Sequence, residues 1–260
     1  MNLHSLTCRR CIGRAAAMVA VSVPIAAVAA RLARARDTTP VPGAPVTAHS
    51  HVLDTAADAL QTKRPIDAMS AFLNGIHFYA DDMGRQVEAN HFCTHLTEDF
   101  HQCVIYDSNR SDAKLIGIEY IVSARIFRTL PDEEKRLWHS HDYEVRSGEL
   151  IAPGVPEAAG HMVMKDLVNT YGKTWHTWQI DQSPAFPLGI PQLMMGFTRD
   201  GQVDQAKLAD RDKRFGSTTA KLRQDRTDIA EPVLVPGANG WQSGRTVQLK
   251  LEEVAVRNLR

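Results

Sequence analysis

The stretch HFCTHLTEDFHQC, residues 91–103, holds two cysteines, three histidines and two carboxylates, all side chains that can do chemistry. If HFCTHL and FHQCVI are antiparallel strands joined by a short turn in TED, each residue of one strand has a fixed partner in the other. That register pairs Cys93 with Cys103 and His95 with His101. Because residues two apart share one face of a strand, these four side chains would then cluster.

Three interpretations of this cluster remain open. The two cysteines could form a cross-strand disulfide, since directly opposed residues lie ~4.5–5.5 Å apart at Cα, within the span of a disulfide. Two thiolates and two imidazoles could instead hold a tetrahedral zinc ion, although a flat hairpin face would have to twist around it and the short Cys-x-x-Cys spacing of common zinc modules is missing. Third, the cysteines could be small buried hydrophobic residues, with the histidines on the surface.

Other groups suited to chemistry are scattered along the chain. His139 and His141, in WHSH, are two apart, so on a strand they would face the same way and could bind a metal ion or move protons. Glu119 sits inside the apolar pattern GIEYIV, so it lies either on the solvent face or buried with an arginine or histidine partner. A single histidine is usually a hydrogen-bonded structural residue, so a metal site requires that several converge. The candidate functional pocket comprises His91, Glu119, His139, His141 and His176, with no catalytic residue and no metal ligand assigned.

Common catalytic motifs are missing from the sequence. It has no nucleophile elbow, phosphate loop, dinucleotide fingerprint or His-Glu-x-x-His pattern. This argues against the common hydrolases, kinases and dehydrogenases, but it leaves open an enzyme whose site is assembled from distant residues.

The composition is that of a globular protein with a real core. The 260 residues are 43% hydrophobic and 23% charged, with a formal net charge of zero. A nucleic-acid-binding protein would usually show a basic excess, so nucleic acid is not expected as a partner. Beyond the N-terminus no apolar run approaches the ~20 residues of a membrane-spanning helix.

The N-terminus resembles an export signal. Arg9 and Arg10 precede an apolar run, and small-residue sites follow it, so residues 1–35 are predicted as a twin-arginine-like signal peptide cleaved after Ala29 or Ala35. A membrane anchor that is never cut is the alternative. Cleavage would leave 30 − 5 = 25 basic and 30 acidic residues, and would place the mature chain in the periplasm or outside the cell.

The rest of the chain predicts an α+β fold, with an antiparallel sheet packed against a few helices. The strand-like runs lack a regular βαβ alternation, so we expect a meander with a hairpin at 91–105. Residues 139–150, HSHDYEVRSGEL, are predicted as a further strand. Residues 157–172, EAAGHMVMKDLVNTYG, are predicted as a helix that ends on Gly172.

Three segments are expected after the signal peptide. Residues 36–60 begin with a run rich in Pro, Thr and Ala and are predicted as a linker. Residues 61–245 form the main domain. Residues 246–260 contain an alternating apolar pattern that suits either a last strand or an exposed tail.

Long motifs across the main domain resemble the oil body-associated protein family. They are GIHFYADD with RQVEANHFCTHLTEDFHQCVIYDS, LIGIEYIVS with LWHSHDYEVRSGELIAPGVPE, and TYGKTWHTWQID with PLGIPQLMMGFT, and together they span residues 66–245. The family is known in plants, with bacterial members known only as a domain of unknown function. The resemblance implies an association with seed lipid droplets and their stability, and it implies no established set of catalytic residues.

The resemblance also bears on individual residues. Family members resemble this chain at His91, Cys93, Glu98, Asp99, Gln102, Cys103, Tyr106, Asp107, His139, His141, Tyr171, Gly172 and Trp178. His95 and His101 are replaced in plant members, which weakens the interpretation as a two-cysteine, two-histidine zinc site. Plant members face the cytosol, where a disulfide would be reduced, so the shared cysteines imply packing, with a disulfide as an option for an exported member.

These observations support two main hypotheses. The first is an exported, soluble, non-enzymatic protein that associates with a lipid surface or an apolar ligand, because of the resemblance and the apolar segment FPLGIPQLMMGF at 186–197. The alternative is a periplasmic metal-binding protein or enzyme that uses His91, His139 and His141, with Glu119 or His176 in support. A metal ion is therefore the one cofactor considered. A plain scaffold protein is a third hypothesis, which the sequence cannot separate from the first.

Overall fold

The computed structural model describes residues 40–258. The predicted signal peptide at 1–35, both cleavage sites and the first residues of the predicted linker lie outside this range, as do the last two residues of the chain. No helix within the described range is long and apolar enough to cross a membrane.

Residues 40–258 contain eight α-helices and seven strands, and the first four strands follow one another without a helix between them. The helices are α1 (Ala48–Leu60), α2 (Arg64–Asp67), α3 (Ala124–Phe127), α4 (Asp132–Lys135), α5 (Asp142–Ser147), α6 (Glu157–Leu167), α7 (Gln205–Phe215) and α8 (Thr219–Asp225), followed by a 3-10 turn at Gly240–Ser243. The strands are β1 (Ala71–Tyr79), β2 (Asp82–Thr97), β3 (Phe100–Tyr106), β4 (Leu115–Ser123), β5 (His139–Ser140), β6 (Thr170–His176) and β7 (Gln192–Met195).

The strands form one antiparallel sheet that closes on itself. The order is β4-β3-β2-β1-β7-β6, and β4 also pairs with β6 along its other edge, while the short β5 extends from β6. The predicted α+β class and the meander from β2 to β4 are confirmed. Closure, which the sequence did not predict, leaves β4 without a free edge and creates an enclosed inner face.

The hairpin of β2 and β3 has the predicted register. Cys93 pairs with Cys103 and His95 with His101, and the register then shifts so that Thr97 pairs with Phe100. The two cysteines are buried and joined in a disulfide. The rings of His95 and His101 stack at 4.1 Å between centroids at the partly exposed end of the hairpin. Because the sulfurs are bonded to each other, these four residues do not form the zinc site considered above.

Two predicted elements differ from the structure. Residues 139–150 are not one strand, because only His139–Ser140 is extended and the chain then turns into α5, which ends at Gly148 with a left-handed φ of 80°. Gly172 does not end a helix: α6 stops at Leu167 and Gly172 lies within β6. At Gly172, pairing across the sheet overrides the local pattern.

The segments on either side of the main domain have little buried surface. Residues 48–60 of the predicted linker form α1, which buries no residue and begins with Thr47 as its N-cap. Residues 246–258 form no strand and are exposed over most of their length, as an extended tail would be.

Candidate metal centre

Glu119 lies at the centre of a group of buried histidines. Its Oε2 is 2.7 Å from Nε2 of His91 and 3.8 Å from Nε2 of His77. Its Oε1 is 3.2 Å from Nε2 of His141 and 3.4 Å from Nε2 of His139. Each of these five side chains is at most 5% exposed. One carboxylate is therefore surrounded by four imidazole nitrogens away from water.

The closed sheet explains how distant residues meet. The donors on its strands are His77 on β1, His91 on β2, Glu119 on β4 and His176 on β6. Successive side chains of a strand point to opposite faces, so one side chain in two points into the enclosed interior. His139 and His141 come from β5 and from the residue just before α5, where the turn brings the second histidine back towards Glu119.

Hydrogen bonds determine which nitrogen of His141 carries the proton. The hydroxyl of Thr170 donates to the carbonyl oxygen of Leu167 at 2.7 Å, so it has no second proton to donate. It must therefore accept from Nδ1 of His141, 2.8 Å away. Nε2 of His141 lies 3.2 Å from Oε1 of Glu119, so either a proton on Nε2 or a metal ion bridges these two atoms.

Several polar atoms of the cluster lack hydrogen bonds. Within residues 40–258, neither nitrogen of His91 and neither nitrogen of His139 has a hydrogen-bond partner, although both side chains are buried. His91 approaches Glu119 closely, but without the alignment of a hydrogen bond. A buried polar group left unpaired costs ~1–3 kcal/mol, so several together indicate that another group completes the site.

Burial sets the charges of the cluster. Desolvation lowers the pKa of His139 and of His176 to about 3, so both imidazoles are neutral at neutral pH, the form that binds metal ions. Desolvation would raise the pKa of Glu119, but the neighbouring histidines, His91 foremost, outweigh it and hold that pKa well below its usual range. The centre thus contains an ionised carboxylate among imidazoles in a dry interior.

The distances suit a single transition metal ion. Metal–ligand bonds of ~2.0–2.2 Å place adjacent tetrahedral or octahedral ligands ~3.0–3.5 Å apart. Ligand atoms of His77, Glu119 and His139 all lie within 4.8 Å of one another, and Glu119 is 3.4 Å from His139 and 3.8 Å from His77. Nδ1 of His77 lies 3.5 Å from Nε2 of His176, which can hold the ring in place. The residues present therefore fit a nitrogen-rich metal site.

A second carboxylate borders the same histidines. Glu144 on α5 is buried and forms a further group of potential ligands with His139 and His141. Its Oε1 has no hydrogen-bond partner in the described part of the chain. Desolvation, together with the charges of Glu149 and Glu119, raises the pKa of Glu144 well above its usual value.

Two glycines leave room for the carboxylates. A Cβ at Gly172 would lie 1.9 Å from Oε1 of Glu119 and 2.9 Å from Nε2 of His141. A Cβ at Gly196 would lie 1.9 Å from Oε1 of Glu144. The backbone approaches both carboxyl groups so closely that any side chain would displace them.

The structure brings together all five residues of the predicted pocket. His91, Glu119, His139 and His141 form its inner group, and His176 joins it through His77. Sequence reasoning did not single out His77, Glu144, Thr170, Gly172 and Gly196 as parts of the site. The motif GIHFYADD contains His77, so its presence in a family motif was the available signal.

Comparison with known proteins places the chain in a family. Residues 63–230 match the family described as "Protein of unknown function (DUF1264)". The chain is 45% identical over 219 residues to oil body-associated protein 1B of Arabidopsis thaliana, which covers 84% of this chain and 90% of the relative. It is 44% identical over 216 residues to oil body-associated protein 1A of Zea mays, which covers 82% of this chain and 90% of the relative.

A third relative extends the same pattern. Oil body-associated protein 2C of Arabidopsis thaliana is 38% identical over 217 residues, covering 82% of this chain and 92% of the relative. No solved structure matches the chain. The expected resemblance is confirmed over nearly all of the main domain, and the chain belongs to the oil body-associated protein family, which the DUF1264 description covers.

Proposed function

We propose that this protein binds one divalent transition metal ion in its enclosed interior. Glu119, His77 and His139 would be its ligands, since their ligand atoms all lie within 4.8 Å of one another, and His91 and His141, which each approach one oxygen of Glu119, would be further donors. The observation that carries the proposal is the ionised, buried carboxylate of Glu119, whose ion-pair partners among residues 40–258 are all histidines. An ion would neutralise this charge and satisfy the orphaned nitrogens of His91 and His139.

The donor set defines the class of metal. Imidazole nitrogens with one carboxylate suit zinc, iron, cobalt, nickel or copper, whereas calcium and magnesium prefer oxygen ligands throughout. Bound there, such an ion would supply Lewis-acid chemistry or hold a small ligand. The chain's own contribution is to keep the imidazoles of His77, His139 and His176 neutral by burial, to orient His141 through Thr170, and to exclude bulk water.

Metal analysis tests the proposal. The purified chain should carry one metal ion after gel filtration, and zinc or iron(II) should raise its Tm when added to chelated protein. Glu119→Gln keeps the shape but removes the charge, so the metal affinity should fall by more than the ~10–100-fold expected for loss of an outer-shell partner. His161→Gln is the control, since His161 lies on α6 and contacts Asp228 at 3.1 Å, away from the centre. Metal-free wild-type protein that no added ion stabilises would refute the proposal.

Contact with a lipid surface is a second candidate function. The relatives are named for association with oil bodies. The apolar segment at 186–197 divides into two parts: Leu193 and Met194 are buried, whereas Phe186 and Leu188 are 51% and 58% exposed between β6 and β7. Exposed apolar side chains on a loop suit shallow insertion into a lipid surface.

Flotation with lipid vesicles or triacylglycerol droplets tests this second function. Wild-type protein should float, and Phe186→Ser with Leu188→Ser should not. The control replaces Val233 by Ser, because Val233 is 90% exposed in a different loop. Wild-type protein that stays with the soluble fraction for every lipid would rule the function out.

The proposal includes export to the periplasm or the outside of the cell. The order of charge and apolar residues in segment 1–35 supports it, and so does the disulfide, since disulfides persist in oxidising compartments. Fractionation of cells that express the full-length chain provides the test. Replacing Arg9 and Arg10 by lysine should keep the protein in the cytoplasm, and unchanged export would contradict a twin-arginine route.

A further inference from the structure

A small cavity lies against the proposed metal ligands. Its volume is ≈ 10 Å³, and its polar wall includes His91, Glu119 and His141. The opposite wall is apolar and includes Leu73 and Leu150. His139 and His176 do not line it. The group of donors is therefore packed on one side and opens into a void on the other.

The volume limits what can enter. About 10–15 Å³ is the space that one water molecule needs, so the cavity is just large enough for one ligand of about that size. The walls are tightly packed, because even a Cβ at Gly75 would meet Cδ1 of Leu150 at 3.3 Å. A larger substrate could reach the donors only by displacing core side chains.

We infer that the metal ion keeps one coordination position that faces this cavity and accepts one small ligand of about the size of water. This inference rests on the proposed metal function. The apolar wall favours an uncharged ligand, since it offers no partner for a charge. Glu144 also borders the cavity, and its unpartnered Oε1 can accept a hydrogen bond from a bound water.

Nitric oxide is a suitable probe, because it is among the smallest uncharged metal ligands and gives a distinct absorption and electron paramagnetic resonance signal on iron(II). The full chain, loaded anaerobically with iron(II), should form a nitrosyl adduct. Gly75→Ala adds one methyl group to the cavity wall without a left-handed backbone requirement. This variant should keep its iron and bind nitric oxide at least ~10-fold more weakly, because the methyl group occupies the space of the ligand. Gly84→Ala, on β2 and exposed, is the matched strand control and should behave as wild type.

Iron content measured on the same samples separates the possible failures. Wild-type protein that binds neither iron(II) nor any other first-row divalent metal ion refutes the proposed metal function. Iron-loaded wild-type protein that forms no nitrosyl adduct refutes the open position alone. Undiminished nitric oxide binding by iron-loaded Gly75→Ala would show that the ligand enters by another side, and would also overturn the inference.

Discussion

Gly172→Ala tests the metal centre with the smallest possible change. The added Cβ would lie 1.9 Å from Oε1 of Glu119. Since a close C···O contact is ~3.3 Å, the carboxylate would have to retreat by ~1.4 Å. The φ angle of Gly172 is not positive, so alanine fits the backbone and the effect comes from the lost space. A shift of that size is more than half the length of a metal–oxygen bond, so Glu119 should no longer reach the ion.

The free energies of unfolding should differ with and without metal. In chelator, overpacking the core by one methyl group should destabilise the variant by ~1–3 kcal/mol. A metal ion at 100 times its Kd stabilises the wild type by a further ~2.7 kcal/mol, which the variant should not gain. The difference between wild type and variant should therefore grow to ~4–6 kcal/mol when metal is present.

Urea unfolding followed by circular dichroism, once with EDTA and once with buffered zinc, measures both differences. Gly160→Ala is the control: Gly160 lies in α6 and a Cβ there meets no atom within 4 Å. That variant should gain up to ~1 kcal/mol from helix propensity and respond to zinc as the wild type does. A folded Gly172→Ala protein with wild-type zinc affinity would show that Glu119 is not a ligand.

Three other perturbations address the hydrogen bonds, the protons and the sulfurs. Thr170→Val removes the acceptor for Nδ1 of His141, so calorimetry should show a metal affinity ~10–100-fold lower, and an unchanged affinity would contradict the assigned tautomer. His176 has its pKa lowered from 6.5 to about 3 in the folded chain, so the stability from its neutral form is present above pH 6.5 and is lost as the pH falls towards 3. In EDTA the wild type should therefore lose ~1.4 kcal/mol per pH unit below 6.5 relative to His176→Gln, and a difference that does not vary with pH would refute the buried neutral imidazole. Cys103→Ser should destabilise the oxidised protein by ~2–4 kcal/mol, and two free thiols in the exported wild-type protein would exclude the disulfide there.

The sequence predicted what depends on local pattern. The register of Cys93 with Cys103 follows from the short turn and the alternation beside it, so it was accessible without other parts of the chain. The register shift after His95 could not be predicted, because an irregularity of one residue leaves no sign in the amino-acid composition. His139 and His141 were expected to share a strand face. They approach Glu119 for a different reason: the chain turns after Ser140, and His141 precedes α5 instead of continuing the strand.

The closure of the sheet could not be predicted from the sequence, for a physical reason. Pairing of β4 with β6 joins segments separated by four helices and a strand, and no local feature of either strand encodes the partner. This pairing nevertheless sets Thr174 beside Glu119 and places β6 next to the candidate metal centre. The sequence predicted that Glu119 lies either on the solvent face or buried beside a histidine or arginine. Which of these two positions it takes depends on the closure of the sheet.

The origin of the donors also suggests why a polar cluster persists in the core. Each of the five donors comes from a different strand or turn, so an ion bound to them would join β1, β2, β4 and the β5–α5 segment at one point. Burying a carboxylate and several imidazoles without an ion leaves unpaired groups that an apolar core of the same volume would not have. The cluster therefore weakens the metal-free fold and strengthens the metal-bound fold, because ligand binding to the native state alone adds to its stability. The disulfide between Cys93 and Cys103 lies directly beside this point, since Cys103 is the cross-strand partner of Glu119. It holds β2 against β3 and thus keeps His91 at its distance from the carboxylate before any ion arrives.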